Sequence, residues 1–166
     1  MSIRSRLAVS AALVLAAFGA QAQTGAVRAE KNISLELANQ IATATVAACA
    51  ANGYAVAATV VDRAGVVRAV QRSDNAGPHT IAASERKAFT SASAKAPTKA
   101  MLENSQKNPG AATLGDIPGF LLLGGGLPIK AGNEVIGAVG VGGAPGGHLD
   151  EQCAQTALDK FKAELG

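Results

Sequence analysis

Hydrophobic and polar positions alternate along this chain with two different periods. After Ser34, the residues Leu37, Ala38, Ile41, Thr45, Ala48 and Cys49 recur at helical spacing until Asn52-Gly53 stops them. Ser34 suits an N-cap and Glu36 a first turn, so the pattern predicts a helix over residues 35–51. The period then drops to two. Residues 54–61 and 66–72 are rich in β-branched side chains and are joined by Asp62-Arg63-Ala64-Gly65, whose glycine suits the left-handed position of a hairpin turn. Val67 and Ala69 share one face of the second strand and Arg68 and Val70 the other, which predicts a partly wet face.

A loop at residues 73–78 leads into a helix that starts near His79 and runs through Ala94. Pro97 interrupts it, so residues 98–104 read as a separate short helix, followed by a polar loop through Asp116. Two apolar runs, 120–123 and 135–141, flank Lys130-Ala131-Gly132-Asn133 and predict a second antiparallel hairpin. The second run ends in Gly142-Gly143-Ala144-Pro145-Gly146-Gly147, too flexible to continue a strand. Asp150 and Glu151 then open a closing helix with Cys153, Ala157, Phe161 and Leu165 on one stripe. Antiparallel hairpins with segregated helices make an α+β fold.

The wording of the last third is more specific than its periodicity. Gly-Gly-Leu-Pro-Ile at residues 125–129, Val-Ile-Gly-Ala-Val-Gly-Val at 135–141 and Gly-Ala-Pro-Gly-Gly at 143–147 resemble the GlcG/HbpS-like family of small haem-binding proteins. The resemblance extends from about Ile33 to Phe161. It implies a profilin-like antiparallel sheet covered by N-terminal, central and C-terminal helices, and symmetric homo-oligomers. For ligand, it implies haem or a related tetrapyrrole. Relatives associated with glycolate and propanediol metabolism suggest a small carboxylate as the alternative, and the family label also carries haem degradation.

Composition narrows the context. With 166 residues, 48% hydrophobic and 16% charged, the chain has the apolar content of one domain. Its 3% aromatic content and lack of Trp predict a core of small side chains in closely approached layers. Residues 1–22 have a short positive region at Arg4 and Arg6, an apolar run of about a dozen residues, and small residues at Ala20 and Ala22. This reads as a cleaved signal peptide, because about 20 apolar residues are needed to span a bilayer. The expected mature protein, residues 23–166, is periplasmic or secreted with no membrane span. Removing Arg4 and Arg6 from a formal charge of +3 leaves +1, a poor match to nucleic acid.

Export changes the meaning of the two cysteines. Cys49 falls in the last turn of the first helix and Cys153 in the first turn of the closing one, so a disulfide forms if those helices lie antiparallel on one face. The alternative is two buried thiols acting as small apolar groups. No sequence motif supplies a catalytic residue, and no His-x-x-x-His, Cys-x-x-Cys or dense carboxylate loop marks a dedicated metal site.

His79 and His148 are the two histidines, each where a glycine or proline loop meets a helix start. Backbone N–H groups there favour anions, such as a substrate carboxylate or a haem propionate. The alternative is a capping or exposed loop role for each. With Thr80 and the backbone of Gly143, Pro145 and Gly146, the histidines could form two walls of a single cleft. A tetrapyrrole iron takes imidazole, thiolate, thioether or phenolate donors, leaving His79, His148, Tyr54 and Met101 if the cysteines are bridged. His79 is favoured, since Gly77-Pro78 fixes the backbone before it. Glu85-Arg86-Lys87 reads as a solvated helix face, whereas the resemblance, through a similar Lys-Ala segment, turns Lys87 toward the ligand.

Overall fold

The computed structural model describes residues 26–166; the expected signal peptide lies outside them. Helix α1 (Leu35–Ala50) is capped by the Ser34 hydroxyl, which accepts from the Leu37 amide at 3.1 Å. Strands β1 (Ala57–Asp62) and β2 (Val67–Arg72) follow, then α2 (Thr80–Ala94) and α3 (Thr98–Lys107). Two single turns of 3-10 helix interrupt the polar loop. Strands β3 (Gly126–Ala131) and β4 (Glu134–Gly142) form the second hairpin, and α4 (Gly147–Lys160) with the short α5 (Lys162–Leu165) closes the chain.

All four strands are antiparallel neighbours in the order β2-β1-β4-β3, confirming an α+β architecture. Strands β1 and β4 are central and are buried along almost their whole length. On one face, α1 and α4 pack over Val56, Val60, Leu127, Ile129, Val139 and Val141, with Ile41, Ala38 and Ala154 filling the layer. Cys49 and Cys153 join these helices in a disulfide, with Cα atoms 5.2 Å apart and 104 residues of separation. The thiol alternative is thereby set aside, and the antiparallel placement of α1 against α4 is the reason.

The opposite face carries α2. There the sheet presents Gly126, Gly140 and Gly142, and a Cβ at Gly140 would overlap the Ser84 carbonyl oxygen and the Ala88 amide nitrogen. A Cβ at Gly126 would likewise overlap the Lys87 carbonyl. Helix α2 therefore lies with its backbone directly on the strands, which is the close layering that a chain poor in aromatics predicts.

Three expectations need correction. Residues 120–123 are not a strand; the partner of β4 begins at Gly126 and includes Pro128. Proline is tolerated because β3 is an edge strand, where one side needs no ladder N–H. The 120–123 run instead packs outside α2, with Phe120 edge-to-face on Phe89 at 6.2 Å and Leu121 donating its amide to the Thr90 hydroxyl at 2.8 Å. In β2, Val67 is exposed with Arg68 and Val70, and Ala69 alone is buried, so both faces of this edge strand are largely wet. Helix α4 begins at Gly147, one turn before Asp150, which turns Asp150 inward.

Candidate functional site

The reversal of polarity in α2 creates the site. The buried face of this helix is Thr80, Ser84, Lys87, Thr90 and Ser91 with the small Ala88 and Ala92, because the glycine-lined sheet leaves no room for large apolar side chains. Most of the hydroxyls turn back to the backbone: Thr80 donates to the Gly77 carbonyl, Ser84 to Ile81, and Thr90 to Arg86. Such back-bonding satisfies a hydroxyl without a partner element. Ser84 also meets the Thr59 hydroxyl of β1 at 2.7 Å.

Lys87 cannot satisfy itself in this way and is 1% exposed, so the solvated-face reading fails for it. Its ammonium donates to Asp150 Oδ2 and to the Val141 carbonyl, each at 2.8 Å. Asp150 Oδ1 accepts the Ala144 amide at 3.0 Å, which fixes the glycine loop to the start of α4. Burial pushes the Asp150 carboxyl above its usual range, and the Lys87 charge with the bonds from Lys87 and Ala144 pulls it partly back. Gly125, at φ +119°, makes the pair possible: a Cβ there would lie 2.7 Å from Asp150 Cβ and 3.0 Å from Lys87 Nζ.

Above this pair lies a pocket of about 200 Å³, lined by His79, Lys87, Asp150, Leu123 and the loop from Gly142 to Gly147. Two helix N-termini border it. Helix α2 is preceded by His79 and α4 by Gly146, and neither capping residue gives its helix a side-chain hydrogen bond. Gly143 (φ +135°) holds the loop against β1, since a Cβ there would approach the Ala55 carbonyl oxygen to 2.6 Å. The rim residue His79 is exposed, with its ring folded back over Gly77, where a Cβ would lie 2.8 Å from the imidazole.

The structure thus brings His79, Lys87, Gly143, Pro145 and Gly146 together. Two other expected residues lie elsewhere. Thr80 is buried with its hydroxyl spent on Gly77, so it supports the turn and does not line the pocket. His148 faces a neighbouring depression of about 320 Å³ with Lys99, Glu151, Gln152 and Gln155, because the first turn of α4 rotates it away from Asp150. The two histidines therefore do not wall one pocket. Tyr54 packs against the α1 layer and Met101 is buried on α3, as internal packing residues. Asp150 was visible in the sequence as a first-turn acid, a role that concealed its use as the partner of a buried lysine.

The residues present fit a carboxylate-bearing ligand. A buried ammonium and helix-start amides favour an anion, and an exposed imidazole stands at the rim. At about 200 Å³ the pocket is smaller than the 300–1,000 Å³ typical of sites that enclose a drug-sized ligand. It has room for a carboxylate-sized group, with His79 at its rim. Among the described residues, no group of three or more His, Cys, Asp or Glu side chains is placed to hold a metal ion by itself.

Comparison with known proteins agrees with this architecture. The protein GlcG of Escherichia coli K12 is 34% identical over 109 residues, covering 63% of this chain and 80% of that one. The solved structure of a double mutant of Streptomyces reticuli HbpS is 38% identical and superposes with a TM-score of 0.76, covering 92% of this chain and 99% of that one. A complex of PduOC with haem shares the fold at 23% identity and a TM-score of 0.69, covering 77% and 94%. Residues 33–159 match the family described as haem degrading protein, HbpS-like. With that match over most of its length, the chain belongs to the HbpS-like family.

Proposed function

We propose that this protein binds haem or a related tetrapyrrole at the cleft between the start of α2 and the loop of residues 142–147. The observation that carries the reading is the exposed His79 imidazole at the rim of a pocket whose floor is the buried Lys87 ammonium. Haem, if bound, would bring an iron that accepts imidazole ligation, for which His79 is placed, and propionates for the remaining Lys87 N–H and the helix-start amides. Gly77 sets the ring of His79 in place, and Leu123 and Pro145 provide apolar surface for a macrocycle edge. The family membership and the haem complex of a protein with the same fold support the ligand class. Within this reading no residue is assigned a catalytic step.

The reading includes export. Disulfides persist in oxidising compartments, so the Cys49–Cys153 bridge supports a periplasmic or secreted protein with residues 1–22 removed. It also includes a homo-oligomer, since Val67 and Val70 on the two faces of the edge strand β2, with Val66 just before it, leave exposed apolar side chains beside unpaired backbone. Titration with hemin tests the ligand. A Soret shift that saturates at one haem per chain is expected, and an unchanged hemin spectrum at tenfold excess of protein would reject the assignment.

A second reading is favoured by the pocket volume. A small carboxylate such as glycolate fits entirely within about 200 Å³, and it needs no axial ligand. A thermal shift with glycolate and none with hemin distinguishes it.

A further inference from the structure

Lys87 and Asp150 are both almost fully buried, with side chains 2% and 3% exposed, yet they border a pocket open to the ligand side. An ammonium has three N–H donors. Two of those on Lys87 are occupied by Asp150 and the Val141 carbonyl, which leaves one without a protein acceptor. At the start of α4, the Gly147 and His148 amides precede the first intrahelical bonds, made by Leu149 and Asp150 to the Gly146 carbonyl. Orphan donors of this kind normally find a capping side chain, water or ligand. Gly146 has no side chain to offer.

We propose that the pocket floor is a seat for one carboxylate group, held by Lys87 and the first amides of α4, and that filling it draws one proton from solvent onto Asp150. The inference rests on the ligand site proposed above and specifies which group of the ligand enters it. Its second half follows from charge. Lys87 and Asp150 together are neutral, so a carboxylate added at the pocket floor leaves two anions around one ammonium, with both protein groups almost fully buried. Two carboxylates that share one site do not both stay ionised, and one is driven toward its neutral form.

Among the described residues, the groups around Asp150 offer no second lysine or arginine at close range. His79 stands at the rim from α2, and Glu151 follows Asp150 on α4 as a further acid. Lys99 of α3 faces Glu151 and His148 in the adjoining depression, not the Asp150 carboxylate. Asp150 is therefore the group that takes the proton; burial already favours its neutral form, and the Ala144 amide can remain bonded to Oδ1.

The carboxylate could belong to a haem propionate or to a free small acid, and the test separates these sources. Calorimetry of the wild-type protein with glycolate and with propionate, in two buffers of different ionisation enthalpy at pH 6 and pH 8, counts the protons taken up. Hemin and its dimethyl ester are titrated in parallel at both pH values. The expected result is an uptake approaching one proton per carboxylate bound and an affinity that weakens by up to about tenfold per pH unit as pH rises. Hemin should bind at least about tenfold more tightly than the ester if the propionate is the occupant, whereas free acids alone should bind if it is not. Asp150→Asn, which keeps the shape and cannot titrate, should bind the same anion with affinity independent of pH. If the ester matches hemin and neither free acid binds, the seat is overturned while haem binding stands. Anion binding with no proton uptake and no pH dependence overturns the protonation of Asp150. Failure of hemin alone, with proton-linked binding of glycolate or propionate, overturns the haem reading and leaves the seat.

Discussion

The two faces of the sheet are built on opposite terms. Toward α1 and α4 the strands present Val60, Val139, Val141 and Ile129, which meet Ile41 and Ala154 in an apolar layer, and a disulfide ties the covering helices together. Toward α2 they present glycines with Val61 and Ala138, and the helix answers with two small alanines, Ala88 and Ala92, beside serines, threonines and a lysine. The first face gains stability from apolar area removed from water. The second, with a smaller apolar cluster, gains less of that area and depends more on close backbone approach and on pairing of its buried polar groups. That dependence makes the α2 face the place where a binding pocket can form: a closely approached layer leaves the Lys87–Asp150 pair and the glycine loop of residues 142–147 at its open end.

If pairing is what holds the α2 face, removing one member of its ion pair should be the most damaging change. Lys87→Met leaves Asp150 buried without its cation and is expected to cost about 3–5 kcal/mol. The pH dependence gives the sign. A carboxyl whose folded pKa is raised contributes most at low pH and loses that contribution as pH rises through the folded value, so the variant should be less impaired at pH 5 than at pH 8. Urea unfolding at both pH values checks this; equal losses would show that Asp150 is not the source. Adding Asp150→Leu to Lys87→Met should recover much of the stability, as hydrophobic replacement of buried pairs does.

The apolar face should respond to its staple next. Replacing Cys49 and Cys153 by alanine is expected to lower stability by about 2–4 kcal/mol, since the bridge closes a long loop. Intact-mass analysis should show two daltons gained on reduction of the native protein. Rapid alkylation of both thiols without reductant would contradict the bridge.

Gly140→Ala probes the close approach directly. The added methyl must push Ser84 and Ala88 away, at an expected cost of about 1–3 kcal/mol, and it should weaken ligand binding because α2 carries Lys87 and His79. Ile41→Val on the other face should cost about 0.5–1.5 kcal/mol and leave binding unchanged. Denaturation and hemin titration of the two variants sharpen the contrast: stability without binding on one face, both together on the other.

The same contrast explains what could be read from the sequence. Helix α1, the hairpin β1–β2 and strand β4 obey ordinary apolar periodicity, and their predicted positions agree with the structure to within a few residues at the ends. The Cys49–Cys153 bridge was legible because Cys49 ends the periodic α1 and Cys153 lies on the apolar stripe of the closing helix. Strand β3 was not, because Gly124-Gly125-Gly126 and Pro128 look like loop, while the apolar run at residues 120–123 looks like a strand and serves as a cover for α2. For a related reason periodicity puts Lys87 on a solvated face, although it is buried. Periodicity assumes that apolar residues point inward, and opposite a strand of glycines the rule reverses. For His148 the first-turn acids Asp150 and Glu151 suggest a later helix start than the observed one at Gly147, and the imidazole faces the adjoining depression. Asp150 and its partner depend on a contact 63 residues apart in the chain, which no local pattern encodes.

The claim at the centre of this account is that the ligand sits at the α2 face, between His79 and the loop of residues 142–147. Amide spectra of isotopically labelled protein, recorded with and without ferric haem, measure that position through paramagnetic broadening. Signals from residues 77–83 and 142–147 should broaden first and most, while those of Leu35–Ala50 and Val67–Arg72 should stay sharp. Selective broadening of α1 or β2, with residues 77–83 and 142–147 unaffected, would contradict the account.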